Sequence, residues 1–209
     1  MAIDDPLDEH EQSERVLAWL RQNGMSLAGG VVLGLAAIGG WKWWEQHSHT
    51  QALADADRYQ AVITAIEAGD PDVASRLDGL DNPVYADLAG LELAAKQVRA
   101  GNNAAAVKTL EAIKTNAPGL NDIVNQRLAR LLVDAGNADK AIQLLEGSDS
   151  AMTLEVRGDA QYALGDAEKA RGSYEQALTK MDVASPRRGL LELKLIEAGG
   201  KPADTEAQS

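Results

Sequence analysis

The segment 23–44, NGMSLAGGVVLGLAAIGGWKWW, constrains this chain more than any other stretch. Residues 22–41 carry no charge, and Lys42 alone interrupts before the tryptophan cluster ends. Twenty helical residues reach about 30 Å, the thickness of one hydrocarbon core. A buried core helix would show a polar face, and none is present. A cleaved signal peptide would need a basic start and a small-x-small site. The preceding residues are acidic instead, with Asp4, Asp5, Asp8, Glu9, Glu11 and Glu14 against Arg15 and Arg21. Trp41, Lys42, Trp43 and Trp44 suit the headgroup zone. The segment therefore reads as an uncleaved single-span anchor.

Six glycines lie within this run, so its hydrophobicity is modest. Backbone groups in lipid must satisfy one another, which still requires a helix. Gly30 and Gly34 form G-x-x-x-G, and Ala36 and Gly40 repeat the spacing. Such small residues let a second membrane helix approach closely; the alternative is a bare anchor with incidental glycines. Charge does not set the orientation, because Arg15 and Arg21 before the span balance Lys42 and Arg58 after it. A short head before a large C-terminal body favours translocation of the body.

That body, about 160 residues, is long enough for a proper core. The formal net charge of the chain is −12, and its acidity argues against nucleic acid as a partner. Cysteine is absent, which removes disulfides and thiol catalysis. Phenylalanine is also absent and alanine abundant, favouring closely packed helices over a β-sandwich.

The body repeats itself. Gly-[Asp/Asn]-x-x-x-Ala begins at Gly69, Gly101, Gly136 and Gly165, with spacings of 32, 35 and 29 residues, and Gly199 follows 34 residues later. Glycine can end a helix in the left-handed conformation, and Asp or Asn can cap the next helix. The trailing alanines (Ala74, Ala106, Ala141 and Ala170) fall where two helices approach closely. This helix–turn–helix period resembles the tetratricopeptide repeat. The fourth unit fits best, with Leu154, Gly158, Gly165, Ala170, Tyr174 and Ala177 at its large, small, turn, small, aromatic and small positions.

The expected fold is all-α: one transmembrane helix, then a tetratricopeptide-like α-solenoid of about four hairpins plus a C-terminal helix. The helix pairs are 51–68 with 71–80, 84–100 with 103–116, 120–135 with 138–147, and 151–164 with 167–181, followed by 187–198. The chain divides into an acidic head (1–22), the span (23–44), the solenoid (45–199) and a polar, disordered tail (200–209). Nothing between Trp44 and Arg58 breaks a helix, so the span is expected to run on into the first hairpin.

Catalytic chemistry is hard to assemble. His47 and His49 at i, i+2 point apart on a helix, so no metal site is expected. No cofactor loop is present. A non-catalytic binding module is the first reading, a structural scaffold the second, and an all-helical enzyme the third. By repeat register, Leu88, Leu91, Ala95 and Val98 of the second unit, with Ile123, Gln126, Arg130 and Val133 of the third, face the concave side. The second unit's set, with Gln126 and Arg130, forms the candidate groove; that apolar set lines it for an extended or helical apolar segment or else belongs to the core.

The order of the N-terminal block carries a further resemblance. An acidic head, Glu11-Gln12, Trp19-Leu20, Asn23-Gly24, a glycine-rich span and Gly40-Trp41-x-x-Trp44 precede the degenerate repeats. In this the chain is similar to the YfgM-type ancillary subunits of the bacterial SecYEG translocon. The resemblance implies an inner-membrane protein with a cytoplasmic head and a periplasmic solenoid. It implies association with SecYEG and with the membrane-anchored periplasmic chaperone PpiD, and a role in passing emerging unfolded chains to periplasmic chaperones. No catalytic, cofactor or metal residue comes with it.

Overall fold

The computed structural model describes residues 9–202, and every regular element among them is helical. The first eight residues of the expected head and positions 203–209 of the expected tail lie outside the described residues. Helix α1 (Glu9–Ala68) runs through the uncharged span without a break at Trp44. The chain divides into two compact units, residues 1–54 and 55–209.

In the first unit α1 exposes apolar side chains all round. Leu27, Val31, Leu33, Leu35 and Ile38 are all more than half exposed. No part of its apolar window is buried against the chain. Such a helix is soluble only if something apolar surrounds it.

The second unit comprises the end of α1 and eight further helices: α2 (Val73–Asp78), α3 (Pro83–Arg99), α4 (Asn103–Ala112), α5 (Pro118–Asp134), α6 (Ala138–Leu144), α7 (Ala151–Ala163), α8 (Ala167–Lys180) and α9 (Arg188–Glu197). Its core is four successive clusters. Ile66, Val73 and Ala89 join α1, α2 and α3; Leu91, Leu110 and Leu128 join α3, α4 and α5. Ala129, Leu145 and Val156 join α5, α6 and α7; Leu154, Tyr174 and Leu195 join α7, α8 and α9. Each helix buries its apolar stripe against helices one or two places away in sequence, which is the organisation of a solenoid.

The turns follow from one backbone requirement. Gly69, Gly101, Gly136, Gly165 and Gly199 have φ between +74° and +83°. At Gly101 the turn closes with Gly101 N donating to Val98 O at 2.9 Å and Asn102 N to Gln97 O at 2.8 Å. The same pair of bonds recurs after α5, α7 and α9, satisfying carbonyls that a helix end leaves open. Asn102 and Asp166 then cap α4 and α8, accepting from Ala105 N and Lys169 N at 3.2 Å each. Lys169 also pairs with Asp166, lowering the Asp166 carboxyl through its hydrogen bond and raising its own pKa in return.

Two caps and several helix ends differ from expectation. Asn137 does not cap α6; its amide donates to Ala135 O. Asp70 accepts from Asp72 N across Pro71, and α2 starts only at Val73. That delay shifts the register by one, so Val73 is buried and Ala74, expected at the contact, is exposed. Helix α4 ends at Ala112, four residues early, because Ile113 turns extended (φ −68°, ψ 122°). The Ile113 side chain then fills the space beside Gly90, where a Cβ would stand 3.1 Å from Ile113 Cδ1. Gly147 (φ +85°) lies beyond the end of α6 at Leu144.

Candidate functional site

Three surfaces come forward. On the first unit, nothing beyond the adjoining residues and the backbone of α1 itself lies within 4 Å of where a Cβ would stand on Gly30, Gly34 or Gly40. With exposed Ala36 these positions form an uncovered small-residue strip. At the far end Trp41 and Trp44 contact one another at a ring separation of 5.6 Å, and Trp43 stacks on His47 at 5.4 Å. All three indoles are more than half exposed, which suits rings that sit at the membrane–water boundary.

The second surface is the expected concave groove, and its residues fall in different environments. Leu91 lies in the core and Ala95 is half-buried, while Leu88, Val98 and Ile123 are exposed. Gln126 is buried, donating from Nε2 to Thr153 Oγ1 at 2.9 Å, and so ties α5 to α7. Leu91 and Gln126 are thereby engaged within the fold. Arg130 reaches Met152 Sδ at 3.2 Å. With Val133, Asp134, Asp159 and Lys194 it lines a basin of about 400 Å³ on α5, α7 and α9.

Beneath that basin is a charged cluster that sequence reasoning missed. Glu155 of α7 is only 2 % exposed. Arg187 Nη2 donates to both its carboxylate oxygens at 3.1 and 3.0 Å, and Lys194 Nζ donates to Oε1 at 2.8 Å. Lys194 also donates to Asp159 Oδ2 at 2.8 Å, and Tyr174 OH to Asp159 Oδ1 at 2.9 Å. Burial alone would push the Glu155 carboxyl up. The hydrogen bond and charge of Lys194, with the charge of Arg187, outweigh it and hold the group below its ordinary value. Burial, then Asp159, pushes the Tyr174 phenol up, keeping it a donor. The cluster binds α9 to α7. Its only sequence signal was a glutamate on the apolar face of a repeat helix.

The third surface is a cleft of about 860 Å³ between α4, α5 and α6. Leu110, Val124, Leu128 and Leu132 form its floor, while Asn121, Asn125, Gln143, Lys114 and Lys140 stand at its walls. It exists because α4 stops at Ala112 and α6 has only seven residues. The two short helices leave the long α5 partly uncovered.

The other repeat-packing positions are structural. Ala106, Ala141, Ala170 and Ala177 are fully buried, and Gly158 lies under the Tyr174 ring. His47 engages Trp43 and Gln51, and among the described residues no three His, Cys, Asp or Glu side chains gather as metal ligands.

Fold and surfaces together define a helical-hairpin repeat protein with an apolar N-terminal helix. The family model described as a tetratricopeptide repeat-like domain matches residues 17–200. The ancillary SecYEG translocon subunit of Escherichia coli (strain K12) is 31% identical over 197 residues, covering 90% of this chain and 95% of that protein. The protein of the same name from Haemophilus influenzae is 25% identical over 181 residues, 82% of this chain and 89% of its own length. That from Aggregatibacter actinomycetemcomitans is 24% identical over 202 residues, 91% and 95% of the two chains. No solved structure matches significantly. The chain belongs to the tetratricopeptide repeat-like family that includes the ancillary SecYEG translocon subunits.

Proposed function

We propose that this chain is a non-catalytic interaction module anchored beside the SecYEG translocon. It passes translocated proteins to periplasmic chaperones, with the membrane-anchored chaperone PpiD as a partner. The observation that carries the reading is the match of nearly the whole chain to proteins named ancillary SecYEG translocon subunit. Two further features support it: the exposed apolar stretch of α1 and the solenoid of short hairpins. In this reading the span lies in the inner membrane, the head in the cytoplasm and the solenoid in the periplasm. The strip of Gly30, Gly34, Ala36 and Gly40 is the contact with a neighbouring membrane helix.

The test is crosslinking in intact cells followed by purification of the tagged chain. SecY and a periplasmic chaperone are expected among the products, and Gly34→Leu should reduce the SecY product while leaving the solenoid folded. Recovery of neither partner would remove the reading and leave a scaffold unconnected to export.

A further inference from the structure

We infer that the cleft between α4, α5 and α6 holds an extended polypeptide segment bearing apolar side chains and a carboxylate. The inference rests on the reading of the chain as an interaction module for translocated proteins and names what one surface of that module takes.

Three observations carry it. First, the cleft adjoins two further hollows along the solenoid. Ile113 lines both it and the cavity of about 350 Å³ between α2, α3 and α4. At its other end Asn121, Asn125 and Leu144 are shared with a cavity of about 150 Å³ beside α7. A row of adjoining hollows across successive hairpins suits a chain laid lengthwise rather than a compact ligand.

Second, the walls carry uncommitted amides over an apolar floor. The side chains of Asn121, Asn125 and Gln143 hydrogen-bond to no other described residue. An amide offers both a donor and an acceptor. An extended strand presents free N–H and C=O groups along its length, which such side chains can meet. A helix has already satisfied its backbone groups internally and would leave them unmet. Recognition through the backbone also tolerates many sequences, as a module receiving diverse unfolded chains requires.

Third, the charge at the mouth runs against that of the molecule. The chain has a net charge of −12, yet Lys114 and Lys140 line this cleft with Glu111 as the one carboxylate among its lining residues. Lys140 pairs with no carboxylate among the described residues, and Lys114 Nζ is engaged only with the Glu111 carbonyl at 2.9 Å. Two lysines without ion-pair partners beside an apolar floor complement a carboxylate flanked by apolar side chains.

The experiment uses the purified full-length protein in nanodiscs without translocon. Fluorescent peptides of one apolar sequence carry a central Glu, Gln or Lys, and fluorescence anisotropy reads binding. The Glu peptide should bind most tightly. Lys140→Glu, at an exposed position, should weaken that peptide about fivefold and leave the Gln peptide nearly unchanged. Asn125→Ala with Gln143→Ala should weaken all three by roughly three- to tenfold, as should N-methylation of alternate peptide amides. Circular dichroism melts confirm that each variant stays folded. Binding of no peptide, binding indifferent to every cleft variant, binding of a stapled helical peptide in preference to the extended one, or closure of the cleft by a second copy would each overturn the inference. Because no translocon is present, failure here leaves the crosslinking result standing, and loss of the SecY crosslink leaves this binding measurement intact.

Discussion

Gly158 shows how tightly a single residue is specified. A Cβ at this position would collide with the Tyr174 ring, standing 2.6 Å from Cδ1. The ring cannot withdraw cheaply, because Tyr174 is 2 % exposed and its hydroxyl is held by Asp159. Alanine would improve helix propensity by about 1 kcal/mol. Overpacking costs about 1–3 kcal/mol, so Gly158→Ala should be net destabilising. A urea titration should show a lower midpoint with an unchanged slope; an equal or higher midpoint would mean the α7–α8 contact is looser than described. Ala141 has no exposed surface, so Ala141→Leu should lose about 1–3 kcal/mol in the same assay. Gly136 tests a different term, since its surroundings leave room for a Cβ but its φ is +76°. Gly136→Ala should cost about 1–2 kcal/mol through backbone strain alone.

At the scale of elements, the last helix is held by charge as well as by apolar contact. Leu191 and Leu195 are buried against α7 and α8, while Arg187 and Lys194 reach Glu155. The Glu155 carboxyl has a lowered pKa in the folded state. Its contribution to stability is therefore complete above the unfolded value of about 4.3 and is lost as pH falls through the folded value. Thermal melts should be flat from neutral pH down to about 5 and then fall, with Glu155→Gln reducing that acid sensitivity. At neutral pH Glu155→Gln should itself destabilise by about 2–3 kcal/mol, below the range for a fully buried pair because Arg187 is 45% exposed. A variant as stable as the parent at pH 7 would show that α9 docks by apolar contact alone. The turns were legible in sequence because glycine is a chemical requirement where φ is positive, and five such positions recur at nearly even intervals. Helix ends were not. Where α4 stops depends on Ile113 leaving the helix to pack beside Gly90, a contact between residues far apart in the chain. The cleft that results was invisible for the same reason. The concave-face register was legible only as a stripe on each helix. Whether a stripe residue is core or surface depends on the neighbouring hairpin, which is why Leu91 is buried and Leu88 is exposed.

At the scale of the whole molecule, the charges flanking the span pose the remaining question. Arg15 and Arg21 precede it, Lys42 and Arg58 follow, and acidic residues count little in setting orientation. An orientation with the head in the cytoplasm and residue 209 in the periplasm therefore has almost no margin from charge. The absence of cysteine makes this measurable, since one introduced thiol is the only target for a maleimide. In spheroplasts a membrane-impermeant maleimide should label Lys201→Cys at once and Glu14→Cys only after permeabilisation. A thin margin carries a second consequence. Adding two positive charges just after the span, with Gln46→Arg and Gln51→Arg, should invert a measurable fraction of molecules. Glu14→Cys would then become labelled before permeabilisation. If the labelling pattern does not change, the orientation is set by translocation of the long C-terminal body rather than by the arginine and lysine balance at its border, because long segments translocate largely regardless of charge.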